Sequence, residues 1–416
     1  MKKIAMALAL LLAAASCDFL DVVPEGSPTQ DDIYKTQAQA EKMLFMVYGK
    51  CPDLFHAQAM PDLSGGDDLI SSYYGSVRYF SWKSLVYATS QESPTNTYFN
   101  MWGTTSGLPT GNYSYNIYEG IRYAYNFLNN IGSVPDISEA NLRYWSGEAH
   151  FLIAHLHQIL LEYYGPIVLA REEIDLNAPA SSVNVPRSTY DECVNFIEEE
   201  FRKAADMLPD YWGPIAYGRA IKATALAYRA RLLLYSARKL FNGNELYKGI
   251  VNKNGDHLFP TQYDEKKWEL AAQAAKDVMN LNLYSLVGAD GTDPYASFNT
   301  LFTSVGSGTG ATEKIYTRIA SGYQWRIVTT PPSVGGTAYG GYGVTQKQVD
   351  AFAMANGRYP ITGYTDGDQA RPIIDPDAGY SESGFSKFKH PIYGDELETF
   401  KMYQNREPRF YVNVFW

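Results

Sequence analysis

The stretch from Ser138 to Pro166 constrains the fold of this chain more than any other. Ser138 is a good N-cap residue, no proline interrupts the chain up to Tyr164, and Gly165-Pro166 then closes it. Glycine accepts the left-handed terminus of a helix, and proline cannot continue the hydrogen-bond ladder. A long helix is therefore predicted from Ser138 to Tyr164. Similar blocks recur. Ala38 to Lys50 places Ala40, Met43, Leu44 and Val47 on one face, and further helices are predicted over Tyr113–Ile131, Ser188–Leu208, Gly218–Leu240 and Glu265–Leu281. Ser188 with Asp191 three residues on approximates a capping box, and Pro209 ends that helix. Ala220, Ala223, Ala227, Ala230 and Ala237 are small enough for close helix packing. The expected class is mainly α, a tetratricopeptide-like α–α superhelical stack with extensive irregular loops and a little β, although no strict 34-residue period is visible.

Two regions break this pattern. Cys51 to Pro109 is loop-rich, punctuated by Pro61, Gly65, Gly66, Gly75, Pro94, Gly103 and Gly107. From Gly288 onward, glycines sit among aromatics and hydroxyl residues. A strand at Lys314–Ile319 and a helix at Gln346–Ala355 are the elements expected there. The division expected is a helical part over about 18–287 and a loop-rich part over about 288–416, laid over the helices rather than forming an independent domain.

The N-terminus carries a different signal. Lys2 and Lys3 precede an apolar run from Ile4 to Leu12, and small residues lead to Cys17. This is the pattern of a secretory signal over residues 1–16, and its apolar core falls short of the roughly 20 residues a bilayer span requires. Ala14-Ala15-Ser16-Cys17 looks like a bacterial lipobox, which makes Cys17 the expected lipidation site. Several acyl chains anchor a protein stably where one does not.

Thirty-five basic and 45 acidic residues give a net charge of −10, which becomes −12 without Lys2 and Lys3. With no basic cluster, nucleic acid is not an expected partner. Cys51 and Cys193 are too few for a disulfide framework. Cys193 shares an apolar helical side with Ile197 and Phe201 and reads as a buried thiol, while a bond between the two cysteines stays open. Tyrosine is abundant, with 34 residues against 19 Phe and 7 Trp. Its flat face and polar tip suit half-wet surfaces that meet sugars or peptides, although most of these rings pack helices.

Seven motifs in order resemble the SusD/RagB family of Bacteroidetes outer-membrane lipoproteins. They are Asp18-Phe19-Leu20-Asp21-Val22-Val23-Pro24 after Cys17, Ile121-Arg122 with Asn126 and Leu128-Asn129-Asn130-Ile131, and Gly147-Glu148-Ala149 with Phe151-Leu152. Tyr164-Gly165-Pro166, Pro186-Arg187-Ser188-Thr189-Tyr190, Gly218-Arg219-Ala220 and Asn405-Arg406-Glu407-Pro408-Arg409-Phe410 complete the set. The resemblance implies a tetratricopeptide-like scaffold with no catalytic centre and no cofactor. It also implies a surface-facing, lipid-anchored position in the outer membrane and delivery of captured glycan to a SusC-like TonB-dependent transporter. Asp18 and Asp21 fit the surface-export signal of that phylum. The family usually carries more chain after the last motif, so a C-terminally incomplete fold is expected here. Peptide cargo is the alternative within the same family.

Sugar binding calls for aromatic platforms on loops beside amide, carboxylate or guanidinium groups. Two regions combine these. The first holds Tyr73, Tyr74, Arg78, Trp82, Lys83, Asn96, Asn100 and Trp102, and the second holds Tyr323, Gln324, Trp325, Arg326, Tyr339 and Tyr342. From these, Trp325, Tyr323, Arg326, Trp82, Arg78, Tyr74 and Trp102 are the expected ligand contacts, with Trp325 on a glycine-bounded loop. Trp145 and Trp268 lie in predicted helices and are assigned to the core. No metal site is expected. His150, His155 and His157 do not share a helix face, and Asn252-Lys253-Asn254-Gly255-Asp256 lacks the glutamate that completes a calcium loop. No spacing picks out a pair of carboxylates for a glycoside hydrolase, the least favoured reading. Arg122, Asn126 and Glu148 are expected to serve buried helix-to-helix hydrogen bonds.

Overall fold

The computed structural model describes residues 30–55, 65–71, 99–102, 113–173, 175, 177–179, 181, 184–213, 216–304, 311–318, 323–331, 338, 340–367 and 370–416. The expected signal segment and Cys17 lie outside the described residues.

Among the described residues the first part holds seven helices: α1 (Gln30–Ile33), α2 (Gln37–Gly49), α3 (Ile117–Asn130), α4 (Glu139–Tyr164), α5 (Tyr190–Met207), α6 (Lys222–Ala237) and α7 (Lys266–Met279). From α2 to α7 each helix packs on the next in sequence, which is the stacked α–α arrangement the periodicity predicts. The ends are set locally. Thr36 Oγ1 accepts the Gln39 amide at the start of α2, and Ser138 does the same for Asn141 at α4. At α5 the capping box sits one residue later than the Ser188–Asp191 reading. Thr189 Oγ1 accepts the Glu192 amide, and Glu192 Oε2 accepts the Thr189 N–H at 2.7 Å. A glutamate side chain is long enough to reach back to the cap. Gly165, at φ 68°, closes α4.

Helix α4 is the centre of the core. Phe151, Leu152, Ile153, Leu156 and Leu160 are all fully buried, covering more than one side of the helix. A helix apolar all round belongs in the middle of a bundle. Gly147 allows the end of α5 to approach, because a Cβ there would lie 2.8 Å from Met207 Cβ.

The polar residues of this core tie helices together. Glu148 is fully buried and accepts from Arg219 Nε at 2.9 Å, from Arg219 Nη2 and from the Tyr48 hydroxyl at 2.7 Å. Arg219 Nη1 reaches Glu41 at 2.7 Å, and its guanidinium lies 4.5 Å from the centre of the Trp212 ring. Burial pushes the Glu148 carboxyl above its ordinary range, against the pull of Arg219. On α3, Asn126 accepts from the Tyr34 hydroxyl at 2.9 Å and donates to Glu173 at 3.0 Å, and Arg122 stands 3.9 Å from the same carboxylate. Glu148 thus joins elements through buried hydrogen bonds, as expected, whereas Arg122 and Asn126 are half-buried and tie α3 to the non-helical Tyr34 and Glu173 rather than to another helix. Cys51 and Cys193 are both buried free thiols.

Several predicted boundaries shift. Helix α3 starts at Ile117 because Tyr113–Ser114 pairs as a strand, and α6 starts at Lys222 because Arg219 and Ala220 are held in the Glu148 and Tyr48 network. Trp145 is buried at 3 % exposure, but Trp268 is 38 % exposed, its indole N–H donating to the Tyr263 hydroxyl at 2.9 Å. The core assignment of Trp268 is therefore incorrect; it lies on the outer side of α7.

The strands come in two-stranded pairs. β1 (Leu69–Ser71) runs antiparallel to β4 (Tyr342–Val344), and β2 (Phe99–Asn100) runs parallel to β3 (Tyr113–Ser114). β5 (Ile361–Tyr364) pairs with β6 (Pro372–Ile374), and β7 (Phe385–Lys389) with β8 (Glu396–Phe400). No strand forms over 314–318, where a 3-10 turn at Ala311–Glu313 leads into irregular chain that pairs with no strand among the described residues. The region after Gly288 is more regular than predicted, with helices α8 (Pro294–Thr303), α9 (Tyr323–Thr329), α10 (Gln346–Asp350) and α11 (Pro408–Asn413). It holds small apolar clusters of its own around Phe352, Phe410 and Tyr411, and around Met354 and Tyr380.

Candidate functional site

Trp325 lies in the short helix α9 rather than on a loop. Ile327 and Val328 face inward and are buried, Thr329 Oγ1 donates to the Trp325 carbonyl at 2.7 Å, and Arg326 is exposed. Two buried aliphatic side chains suffice to hold one helical turn against the body of the protein. The Trp325 indole N–H donates to the Phe55 carbonyl at 2.5 Å, and its ring lies 6.1 Å from that of Tyr342, tilted by 38°. Tyr323 is the first residue of the same helix.

The β1–β4 pairing places Leu69–Ser71 beside Tyr342 of the second aromatic region. Ser71 pairs with Tyr342, Ile70 with Gly343 and Leu69 with Val344. Thr345 N–H donates to the Asp68 carbonyl at 3.0 Å, and Lys347 forms an ion pair with Asp67. Both of those side chains are exposed, so the ion pair adds little. The first aromatic region begins immediately beyond Ser71, and the second surrounds Tyr342 and Trp325. Tyr74, Arg78 and Trp82 themselves lie outside the described residues.

Trp102 has a different setting. Its ring lies 4.6 Å from Tyr164 and 5.7 Å from Tyr118, and the neighbouring Met101 amide donates to the Tyr164 hydroxyl at 2.9 Å. It therefore sits at the edge of α3 and α4, where 37 % of it stays exposed. Phe55 was not singled out from the sequence. It is 68 % exposed, and its carbonyl fixes the indole of Trp325. The only sequence cue was an aromatic in the loop-rich stretch, which gives no hint of a partner so distant in the chain.

Among the described residues, no group of three or more His, Cys, Asp or Glu side chains could hold a metal ion. His150 bonds Glu200 at 2.6 Å, while burial drives His155 down to about 3 and His157 down to about 4. Asn252 closes its own turn, its Oδ1 accepting the amides of Asn254 and Asp256.

What this arrangement offers chemically is an aromatic surface whose indole is held at its N–H edge, next to an exposed guanidinium. Comparison with known proteins agrees with the fold. The family profile described as starch-binding associating with outer membrane matches residues 18–234, and the SusD family profile matches residues 300–416. The chain belongs to the SusD family, whose solved members share its tetratricopeptide-like helical fold. It is similar to the solved structure of BT4246 at 25 % identity and a TM-score of 0.65, over 91 % of this chain and 64 % of that one. A SusD-like protein, BF3747 from Bacteroides fragilis NCTC 9343, is 22 % identical with a TM-score of 0.60, over 93 % of this chain and 62 % of its own. A SusD-like carbohydrate binding protein from the same organism, BF0978, is 15 % identical with a TM-score of 0.53, over 91 % of this chain and 60 % of its own. The chain thus spans less than two-thirds of the length of these relatives. No curated protein matches its sequence.

Proposed function

We propose that this chain is a non-catalytic lipoprotein of the outer membrane, anchored through Cys17, that captures oligo- or polysaccharide at the cell surface. It delivers this cargo to a SusC-like TonB-dependent transporter. The scaffold over about 18–287 positions the recognition face, which the part over about 288–416 completes. The observation that carries the reading is Trp325, fixed beside Tyr342 with its indole N–H on the Phe55 carbonyl. A partly exposed indole offers a face to the C–H side of a pyranose, and Arg326 beside it offers hydrogen bonds to hydroxyls. Membership of a family described as associating with the outer membrane, and the carbohydrate-binding description of BF0978, support the same reading. Membrane tethering raises capture through effective concentration.

Calorimetric titration of the chain from Asp18 against neutral polysaccharides and a peptide pool tests it. Saturable binding between about millimolar and micromolar, roughly 4–8 kcal/mol, is expected with a glycan and no product. Trp325→Ala is expected to weaken it about tenfold or more. Heat with peptides alone, or accumulation of a cleaved glycan, overturns the reading.

A further inference from the structure

Behind the Trp325 face the protein contains a cleft of about 890 Å³, bounded by α2, α4, the end of α8 and the chain at 313–318. It adjoins a second hollow of about 550 Å³, and Arg219, Lys314 and Tyr316 line both. This size suits a small organic ligand. The floor is the Glu148, Tyr48 and Arg219 network, whose polar groups are already engaged.

The walls differ from the floor. His155 lines the cleft at 6 % exposure, held between Phe151 and Tyr228, and its Nδ1 has no partner among the described residues. That nitrogen is sealed from solvent, so His155 offers the cleft a neutral ring wall rather than a hydrogen-bonding atom. The hydroxyls of Tyr217, Tyr228 and Tyr316 also line the cleft with no hydrogen-bond partner among the described residues. Lys314 donates to the Ser304 carbonyl at 2.5 Å and to Ser304 Oγ at 3.1 Å, and has no carboxylate within ion-pair distance among the described residues. An ammonium has three donors, so one is left over. The neighbouring carboxylates are already engaged, Asp53 by Arg318 at 3.1 Å and Glu313 by the Val287 amide at 2.9 Å.

We propose that this cleft is a second binding site, which takes a short oligosaccharide bearing one uronic acid, its carboxylate on Lys314. The aromatic faces of Tyr228 and Tyr316 meet the C–H faces of the sugar rings. The phenol hydroxyls meet its hydroxyls. The site goes beyond the outer face, and Trp325 does not line it.

The test is calorimetric titration of the chain from Asp18 with an aldobiouronic acid and with its methyl ester. The ester keeps the rings and loses the charge. The acid is expected to bind saturably, with the ester about tenfold weaker. Lys314→Met is expected to erase that difference, and Tyr316→Phe to weaken both ligands several-fold. Tyr316→Phe keeps the ring, so it serves if Lys314→Met fails to fold. Absence of saturable heat with the acid up to about 10 mM overturns the proposal. So do equal affinities for acid and ester, or a difference that survives Lys314→Met. Failure of the outer-face reading shows separately, in the neutral glycans.

Discussion

Arg219 approaches Glu148 with two donors, Nε at 2.9 Å and Nη2 beside it, and the carboxylate it meets is fully buried. The pair joins the middle of α4 to the residues just before α6. Tyr48 adds α2 through the same carboxylate.

Removing one partner leaves the other charge uncompensated inside the protein. Arg219→Met and Glu148→Gln are each expected to cost about 3–5 kcal/mol in urea denaturation, because a buried ion loses its counter-charge. The double variant is expected to lose much less than the sum of the two. Additive losses would show that the pair does not act as a unit.

Gly147→Ala sets two effects against each other. Alanine favours a helix interior by about 1 kcal/mol, but the new methyl would lie 2.8 Å from Met207 Cβ and 3.1 Å from the Leu208 amide nitrogen. Overpacking of this kind costs about 1–3 kcal/mol. A net loss of up to about 2 kcal/mol is expected, read as a lower melting temperature. A variant that melts higher would mean that α4 and α5 do not meet this closely.

Two buried histidines make stability depend on pH. Burial holds His155 at about 3 and His157 at about 4, against an ordinary value of 6.5. Between those limits the unfolded chain takes up protons that the folded one refuses, so stability falls as pH drops below 6.5. Each group contributes up to about 1.4 kcal/mol per pH unit. Glu200 acts lower still. Burial raises its pKa, the bonds from His150 and Lys203 outweigh that, and its contribution is lost only at more acidic pH. Unfolding free energy is expected to fall from pH 7 to pH 5, and less steeply in His155→Phe. Identical slopes would show that His155 is not held neutral.

Arg406 is fully buried and donates to the carbonyls of Val349 at 2.5 Å, Phe352 at 2.8 Å and Met402 at 3.0 Å. The planar guanidinium spreads its donors over a rigid fork, which the single nitrogen of a lysine does not reproduce. Arg406→Lys is expected to destabilise by about 2–4 kcal/mol, nearly as much as Arg406→Met. Amide hydrogen exchange should quicken first in α10 and in the turn at Lys401–Tyr403. A harmless lysine would show that the charge matters and the fork does not.

The helices were legible because their signals are local. Ser138 and Gly165 delimit α4 from within a few residues, and Glu192 moved one cap by a single position. What escaped depends on distance in sequence. Nothing near Leu69 announces Val344 as its partner, and three residues are too few for an alternating pattern. The helical turn at Trp325 rests on the burial of Ile327 and Val328, which a glycine-bounded segment does not advertise. Trp268 was misplaced because a helix has an outside as well as an inside, and its ring satisfies its N–H on Tyr263. Of the expected contacts, Trp325 and Tyr323 share α9 and Trp102 belongs to the α3–α4 edge, while Tyr74, Arg78 and Trp82 lie outside the described residues.

The β1–β4 pairing also sets an order of events in folding. The helices from α2 to α7 each pack on the next in sequence, so that stack can form from contacts near in the chain before β1 meets β4. Closing a flexible loop of roughly 270 residues costs about 5 kcal/mol of entropy, more than a three-residue ladder returns. The ladder therefore closes only on a body that already holds its two ends close. The scaffold forms first and the candidate face last, and a defect in the stack reaches that face before any residue of it is changed.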